Sequence, residues 1–400
     1  MPKSPTWPPP AFQLLAKPSG AACNLDCRYC FFLAKEHLYP GSRFRMPPDV
    51  LEAYVREYLA SQSAPEVIFV WQGGEPTLLG LDFYREALRL QARYRRPGVR
   101  VSNSFQTNGI LLDDAWGAFL QENHFLVGLS LDGPRALHDA FRVDKGGAPT
   151  FDRVWRAVEV LKRYAVEFNI LTTLNAANVE FPLEVYRFLR DEVGAPFIQF
   201  IPIVERVTPS QDGALVSPAS VTAAQFGRFL INVFDEWARR DVGRVFVQAF
   251  DVALAKWLGL PGGLCVHEET CGAALVVEHT GDVYSCDHYV EPHYRLGNLT
   301  RTPLRQIVGA GKQKRFGDAK RANLPRCCRK CDVRFACHGG CPKERFIHTP
   351  EGEAGLNYLC AGYLEFFRHI DPAMRFMAEE LRAGRPAANL MGRLAAGSLE

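Results

Sequence analysis

Apolar runs alternate with amphipathic ones along the first half of the chain. FQLLAK, EVIFVWQGG, VRVSNSFQTNG, FLVGLSLDG, FNILTTLN and FIQFIPIV read as strands, because short apolar runs rich in β-branched and aromatic residues suit a pleated, buried surface. Between them PPDVLEAYVREYLASQ, DFYREALRLQARYR, LDDAWGAFLQENH and FDRVWRAVEVLKRYAVEF carry helical spacing. This alternation, over about 200 residues, predicts a parallel α/β sheet or barrel. Functional groups in such folds gather in the loops at the carboxyl edge of the strands. GGEP after the second run, QTNG after the third and SLDG after the fourth fall there.

A long helical stretch, SPASVTAAQFGRFLINVFDEWARR, closes this part, with Ser217 the expected cap ahead of Pro218. Beyond residue 245 the texture changes to cysteine, glycine and short β-like pieces such as AALVVEHTGDVYSC, where GDV reads as a hairpin turn. Such a region has little apolar core of its own and is expected to be organised around metal. The expected divisions are a proline-rich arm (1–10), an α/β domain with its closing helix (11–244), a cysteine-rich domain (245–375) and a C-terminal helix or tail (376–400). The terminal GRLAAGSLE reads as flexible.

With 400 residues, 47% of them hydrophobic, the chain has room for a large core and more than one domain. The net charge is +3, with basic residues scattered among acidic ones. The concentrated patch of a nucleic-acid binder is missing, so no nucleic-acid partner is expected. No stretch approaches the roughly 20 apolar residues of a membrane span, and MPKSPTWPPPAF lacks the apolar run of a signal peptide. A cytoplasmic protein with no membrane partner is expected. In a reducing compartment, twelve cysteines point to metal or redox chemistry rather than a disulfide framework.

CNLDCRYC places Cys23, Cys27 and Cys30 in C-x3-C-x2-C spacing directly after the first strand-like run. Three thiolates so close together grip one face of an iron–sulfur cube and leave its fourth iron open for chemistry. The alternatives are a zinc site short of one ligand, or three unrelated thiols. A second group holds Cys265, Cys271 and Cys286, then Cys328, Cys331, Cys337, Cys341 and Cys360, enough for two fully ligated four-iron clusters. By spacing alone, a pair of structural zinc sites serves nearly as well. Cys327 is left over; spacing does not settle whether it or Cys328 is the ligand, though C-x2-C favours Cys328.

C-x3-C-x2-C after the first strand, an aromatic after the last cysteine and GGEP after the second strand together resemble the radical S-adenosylmethionine enzymes. The resemblance implies a partial (β/α)6 barrel in which the open iron chelates the cofactor, whose cleavage yields methionine and a 5′-deoxyadenosyl radical. It assigns cofactor contacts to Gly73, Gly74 and Glu75, glycine for close backbone approach and Glu75 to neutralise the methionine ammonium. It further assigns Ser130 and Arg142 to the ribose and carboxylate, Ile203 to the adenine, and a contact to Phe32, where relatives often carry tyrosine. The later cysteines resemble the SPASM domain, a small cysteine-rich domain binding two auxiliary clusters. By that resemblance one cluster takes Cys265, Cys271, Cys286 and Cys341, and the other Cys328, Cys331, Cys337 and Cys360, giving three [4Fe–4S] clusters in all.

SCDHYVEPHYRLGNL, CHGGCPKERF and GLNYLCAGYLEFF look like the anaerobic sulfatase-maturating enzymes, and the resemblance runs from about residue 11 to 375. That family converts a cysteine or serine in a C/S-x-P-x-R segment of a sulfatase into Cα-formylglycine. The resemblance implies an unfolded or nascent sulfatase as substrate and a reductant such as flavodoxin or ferredoxin. After hydrogen abstraction from Cβ, the substrate must lose one more electron and a thiol or hydroxyl proton. Asp287, beside Cys286, is the expected base, an auxiliary cluster the electron acceptor, and Gln72 the residue expected to orient the substrate backbone. The alternative is another radical peptide modification, such as thioether crosslinking of a ribosomal peptide.

Overall fold

The computed structural model describes residues 11–207 and 215–397, so the proline-rich arm over 1–10 lies outside the described residues, as does the end of GRLAAGSLE. All six expected strands form: β1 (Gln13–Lys17), β2 (Glu66–Trp71), β3 (Arg100–Thr107), β4 (Phe125–Ser130), β5 (Phe168–Leu174) and β6 (Phe197–Pro202). The four helical segments expected between them fold as Pro48–Ser61, Leu81–Tyr94, Asp114–Glu122 and Phe151–Arg163. Later strands are β7 (Phe246–Val247), β8 (Ala274–Glu278), β9 (Asp282–Tyr284) and β10 (Arg295–Asn298).

The chain forms two compact units that cut across the divisions expected from sequence. The first takes residues up to Leu129, Arg142–Phe168 and Thr270–Ala319; the second takes Ser130–Phe141, Asn169–Glu269 and the chain from Lys320. In the first unit the strand order is β10-β9-β8-β1-β2-β3-β4, with β1 to β4 mutually parallel. A buried set of rings packs against this sheet: Tyr54, Phe69, Trp71, Tyr84 and Phe105 sit edge to face or stacked. Each such ring removed from water contributes about 2–3 kcal/mol before the cost of ordering it.

The cysteine-rich part does not depend on metal alone for its core. β8 pairs in parallel with β1 over five residues, from Gln13 with Ala274 to Lys17 with Glu278. Its Leu275, Val276 and Val277 are almost fully buried, as is Val283 of β9. A continuous apolar run buried on both faces is what a strand inside a parallel sheet requires, and it explains why this stretch does not alternate. The GDV turn forms between β8 and β9, with Gly281 at φ +84°, a left-handed conformation that glycine adopts without strain.

In the second unit β5 pairs in parallel with β6, and β6 with β7. The closing helix spans Ala223–Arg240, and its cap is Thr222 rather than Ser217. Thr222 and Gln225 form a reciprocal capping box that satisfies two helix-start donors, whereas Ser217 bonds Ser220 instead. A 23-residue helix, Cys360–Arg382, crosses it with Gly362 against Gly227 and continues through the expected 375/376 boundary. Part of the terminal segment expected to be flexible is helical: Asn389–Ala395 buries Leu390. Among the described residues, no helix is long and apolar enough to cross a membrane.

Candidate active site

The loop after β1 holds Cys23, Cys27 and Cys30 in the first unit. Two turns fold it back, Gly20 N–H to Lys17 O at 3.0 Å and Ala22 N–H to Ser19 O at 3.0 Å. GGEP then runs alongside, with Gly74 N–H donating to Gly20 O and Glu75 N–H to Ala22 O, both 2.8 Å. This close approach dictates the glycines. A Cβ on Gly74 would collide with the Ala22 carbonyl, and Gly73 sits at φ +141° with the Ser19 hydroxyl 3.0 Å from where its Cβ would be.

Glu75 is held by a network of donors from the β2 and β3 loops. Its carboxylate is fully buried and accepts from Thr77 N–H (3.0 Å), the Thr77 hydroxyl (2.5 Å), the Thr107 hydroxyl (2.8 Å) and Asn108 N–H (2.8 Å). Burial pushes its pKa up while these donors pull it back. These bonds brace the β2 and β3 loops against one another. Asn108 extends the brace, donating to Asn24 Oδ1 at 2.8 Å and to Cys23 Sγ at 3.7 Å. Asn108 was not singled out from sequence, although it lies in the QTNG edge loop.

The first loop carries three free thiols, the ligand type that an iron–sulfur cluster takes. Cys23 Sγ accepts from Leu25 N–H at 3.4 Å. Burial, followed by the charges of Glu75, Cys27 and Cys30, raises its pKa to about 12. As thiolates, the three would need a compensating cation, which an iron–sulfur cluster would supply. The far side of the loop is tied down by Asp26 N–H to Val143 O (2.9 Å) and by Arg142, whose guanidinium lies 5.5 Å from the Tyr29 ring. Tyr29 is a second residue that sequence reasoning passed over.

Asp287 is brought to this same loop. Lys17, the last residue of β1, lies nearly buried with Nζ 2.6 Å from Asp287 Oδ1 and 3.7 Å from the Phe32 ring centroid. Phe32 packs its ring in a core cluster with Ala21, Val276, Tyr284 and Val290. Gln72, next along β2, donates its N–H to Ala16 O at 2.9 Å, and its Oε1 is buried with no hydrogen-bond partner. Cys271 and Cys286 belong to this unit too, and Gln313 links their neighbours by donating to Gly272 O and Ser285 O, each at 3.1 Å.

In the second unit Cys328, Cys331, Cys337 and Cys360 come together, with Cys327 beside Cys328. Burial, then the Cys327 and Cys360 charges, raises Cys328 to about 12; burial raises Cys337 to about 12. Arg345 shapes the CHGGC turn, donating to Gly339 O (2.8 Å) and His338 O (2.8 Å) ahead of Cys341. Lys320 grips Cys265 O at 2.6 Å. Ser130 ends β4, and Ile203 follows β6, buried, with its N–H on Leu174 O at 2.9 Å.

The comparisons place this fold and these cysteines among the radical enzymes with iron–sulfur centres. The Radical SAM superfamily model matches residues 18–189, and that of the SPASM iron–sulfur cluster-binding domain matches 265–332. A serine-type anaerobic sulfatase-maturating enzyme of Bacteroides thetaiotaomicron is 44% identical, covering 100% of this chain and 99% of the relative. A cysteine-type enzyme of Clostridium perfringens is 35% identical over 93% of this chain and 100% of its own. A solved structure described as native anSMEcpe with bound AdoMet and Cp18Cys peptide superimposes with a TM-score of 0.82 at 34% identity, covering 92% of this chain and 99% of that one. The chain belongs to the anaerobic sulfatase-maturating enzymes.

Proposed function

We propose that this protein oxidises a serine or cysteine in a C/S-x-P-x-R segment of a sulfatase to Cα-formylglycine, with Asp287 as the base. The observation that carries the reading is the placement of the Asp287 carboxylate against the end of β1, where the Cys23–Cys30 loop begins. Bound S-adenosylmethionine and three [4Fe–4S] clusters supply the hydrogen-abstracting radical and the electron sink. Once Cβ has lost a hydrogen atom, departure of one electron makes the hydroxyl or thiol proton acidic, and a carboxylate within reach accepts it. Gln72 Oε1 offers an acceptor for a substrate backbone N–H.

The higher identity to serine-type relatives, 44% and 40% against 35% for the cysteine type, supports serine as an accepted residue. An extended, unfolded or nascent sulfatase in the cytoplasm suits a peptide substrate, and flavodoxin or ferredoxin suits the reductant. The test is mass spectrometry of a C-x-P-x-R peptide and its serine twin after anaerobic incubation of reconstituted enzyme with S-adenosylmethionine and reductant. Formylglycine is expected, and an Asp287→Ala variant should still cleave the cofactor while product formation falls about 100-fold or more. Cofactor cleavage with both peptides unchanged would move the substrate elsewhere, and normal product from the variant would remove Asp287 as the base.

A further inference from the structure

A lysine nearly devoid of solvent contact is costly, because an ammonium loses hydration that a low-dielectric surrounding does not return. Methionine would fill the same space without that cost. Lys17 is nonetheless retained at the carboxyl end of β1, where its side chain is 3% exposed. Its neighbour across the β1–β8 register is Glu278, whose carboxylate is engaged with His279 at 3.2 Å. The ammonium turns instead to Asp287 Oδ1 at 2.6 Å, and the Phe32 ring 3.7 Å away confines it from another side.

We propose that Lys17 is the positioning residue for Asp287: its ammonium, confined by the Phe32 ring, holds Oδ1 and thereby sets the direction in which the carboxylate meets the substrate. The proposal rests on the reading of Asp287 as the base. It gives Phe32 a role that needs a ring face and no hydroxyl, since an ammonium is attracted to the face of a phenyl ring. Aiming a general base matters as much as its basicity, because proton transfer needs hydrogen-bond distance at the moment the electron leaves.

The experiment uses cluster-loaded Lys17→Met, Lys17→Arg, Phe32→Leu, Asp287→Asn and the Lys17→Met/Asp287→Asn double variant. It measures formylglycine formed per 5′-deoxyadenosine released, kcat and KM for a serine peptide, equilibrium peptide affinity and iron content. Lys17→Met is expected to lower the product ratio about tenfold or more through kcat, with peptide affinity and iron content kept. Lys17→Arg should restore most of the ratio, and Phe32→Leu, which keeps the charge, should lower it by a smaller factor. The double variant should be no worse than Asp287→Asn alone, as residues acting through one another are not additive. An unchanged ratio in Lys17→Met, a loss confined to KM, or multiplying losses in the double variant would overturn the proposal. Should Lys17→Met fail to load clusters, the Phe32→Leu ratio decides, and an unchanged value overturns it. Full product from Asp287→Asn would instead overturn the base reading itself.

Discussion

Glu75 and Gly74 show how a motif read as a cofactor loop is built into the structure around it. GGEP is legible in the sequence as a cofactor loop, yet its carboxylate is turned inward and its second glycine is demanded by the Ala22 carbonyl of the cysteine loop. The motif thus also holds the cluster loop in place. Gly74→Ala is therefore expected to displace that loop and lower the iron content of the reconstituted protein. Iron and sulfide analysis with electron paramagnetic resonance of the reduced protein checks this, and full iron content would contradict it. The C-x3-C-x2-C spacing of Cys23, Cys27 and Cys30 was visible in the sequence. The parts of Asn108 and Lys17 were not, because a single polar residue after an apolar run carries no spacing signal.

At the scale of elements, the clearest departure from local expectation is the crossing of the helices Ala223–Arg240 and Cys360–Arg382. Their backbones meet at two glycines, where a Cβ on Gly227 would lie 2.8 Å from Gly362 Cα, and one on Gly362 would collide with the Ala223 carbonyl. Gly362→Ala is expected to push the helices apart and cost about 1–3 kcal/mol, read as a lowered midpoint in urea. Helical periodicity foretold the first helix but not its cap, since Ser-Pro and the TAAQ box compete and the reciprocal box satisfies more donors. The strands were read well, because each carries its apolar run within a few residues.

For the whole molecule, the consequential pairing is β8 on β1. It makes β1 an interior strand, buries Val276 and Val277, and places Asp287 within reach of Lys17. A chain ended after residue 244, at the boundary drawn from sequence, would leave β1 with an open edge and a row of unpaired backbone groups. Such a fragment is expected to aggregate, whereas the full chain should not; light scattering during size-exclusion chromatography distinguishes the two. A monodisperse fragment would show that β1 does not need β8.

The sequence by itself determined the strand and helix order, the cysteine spacings and the family motifs, because each depends on periodicities and spacings within short stretches of chain. Only the tertiary structure decided that the later strands extend the first sheet, that Glu75 is a brace and that Phe32 lies under an ammonium. It also decided that Lys17 meets Asp287. These are contacts between residues distant in sequence or choices of side-chain direction. They follow from which strand edges pair and which polar groups must be satisfied once buried, and no local pattern carries that information.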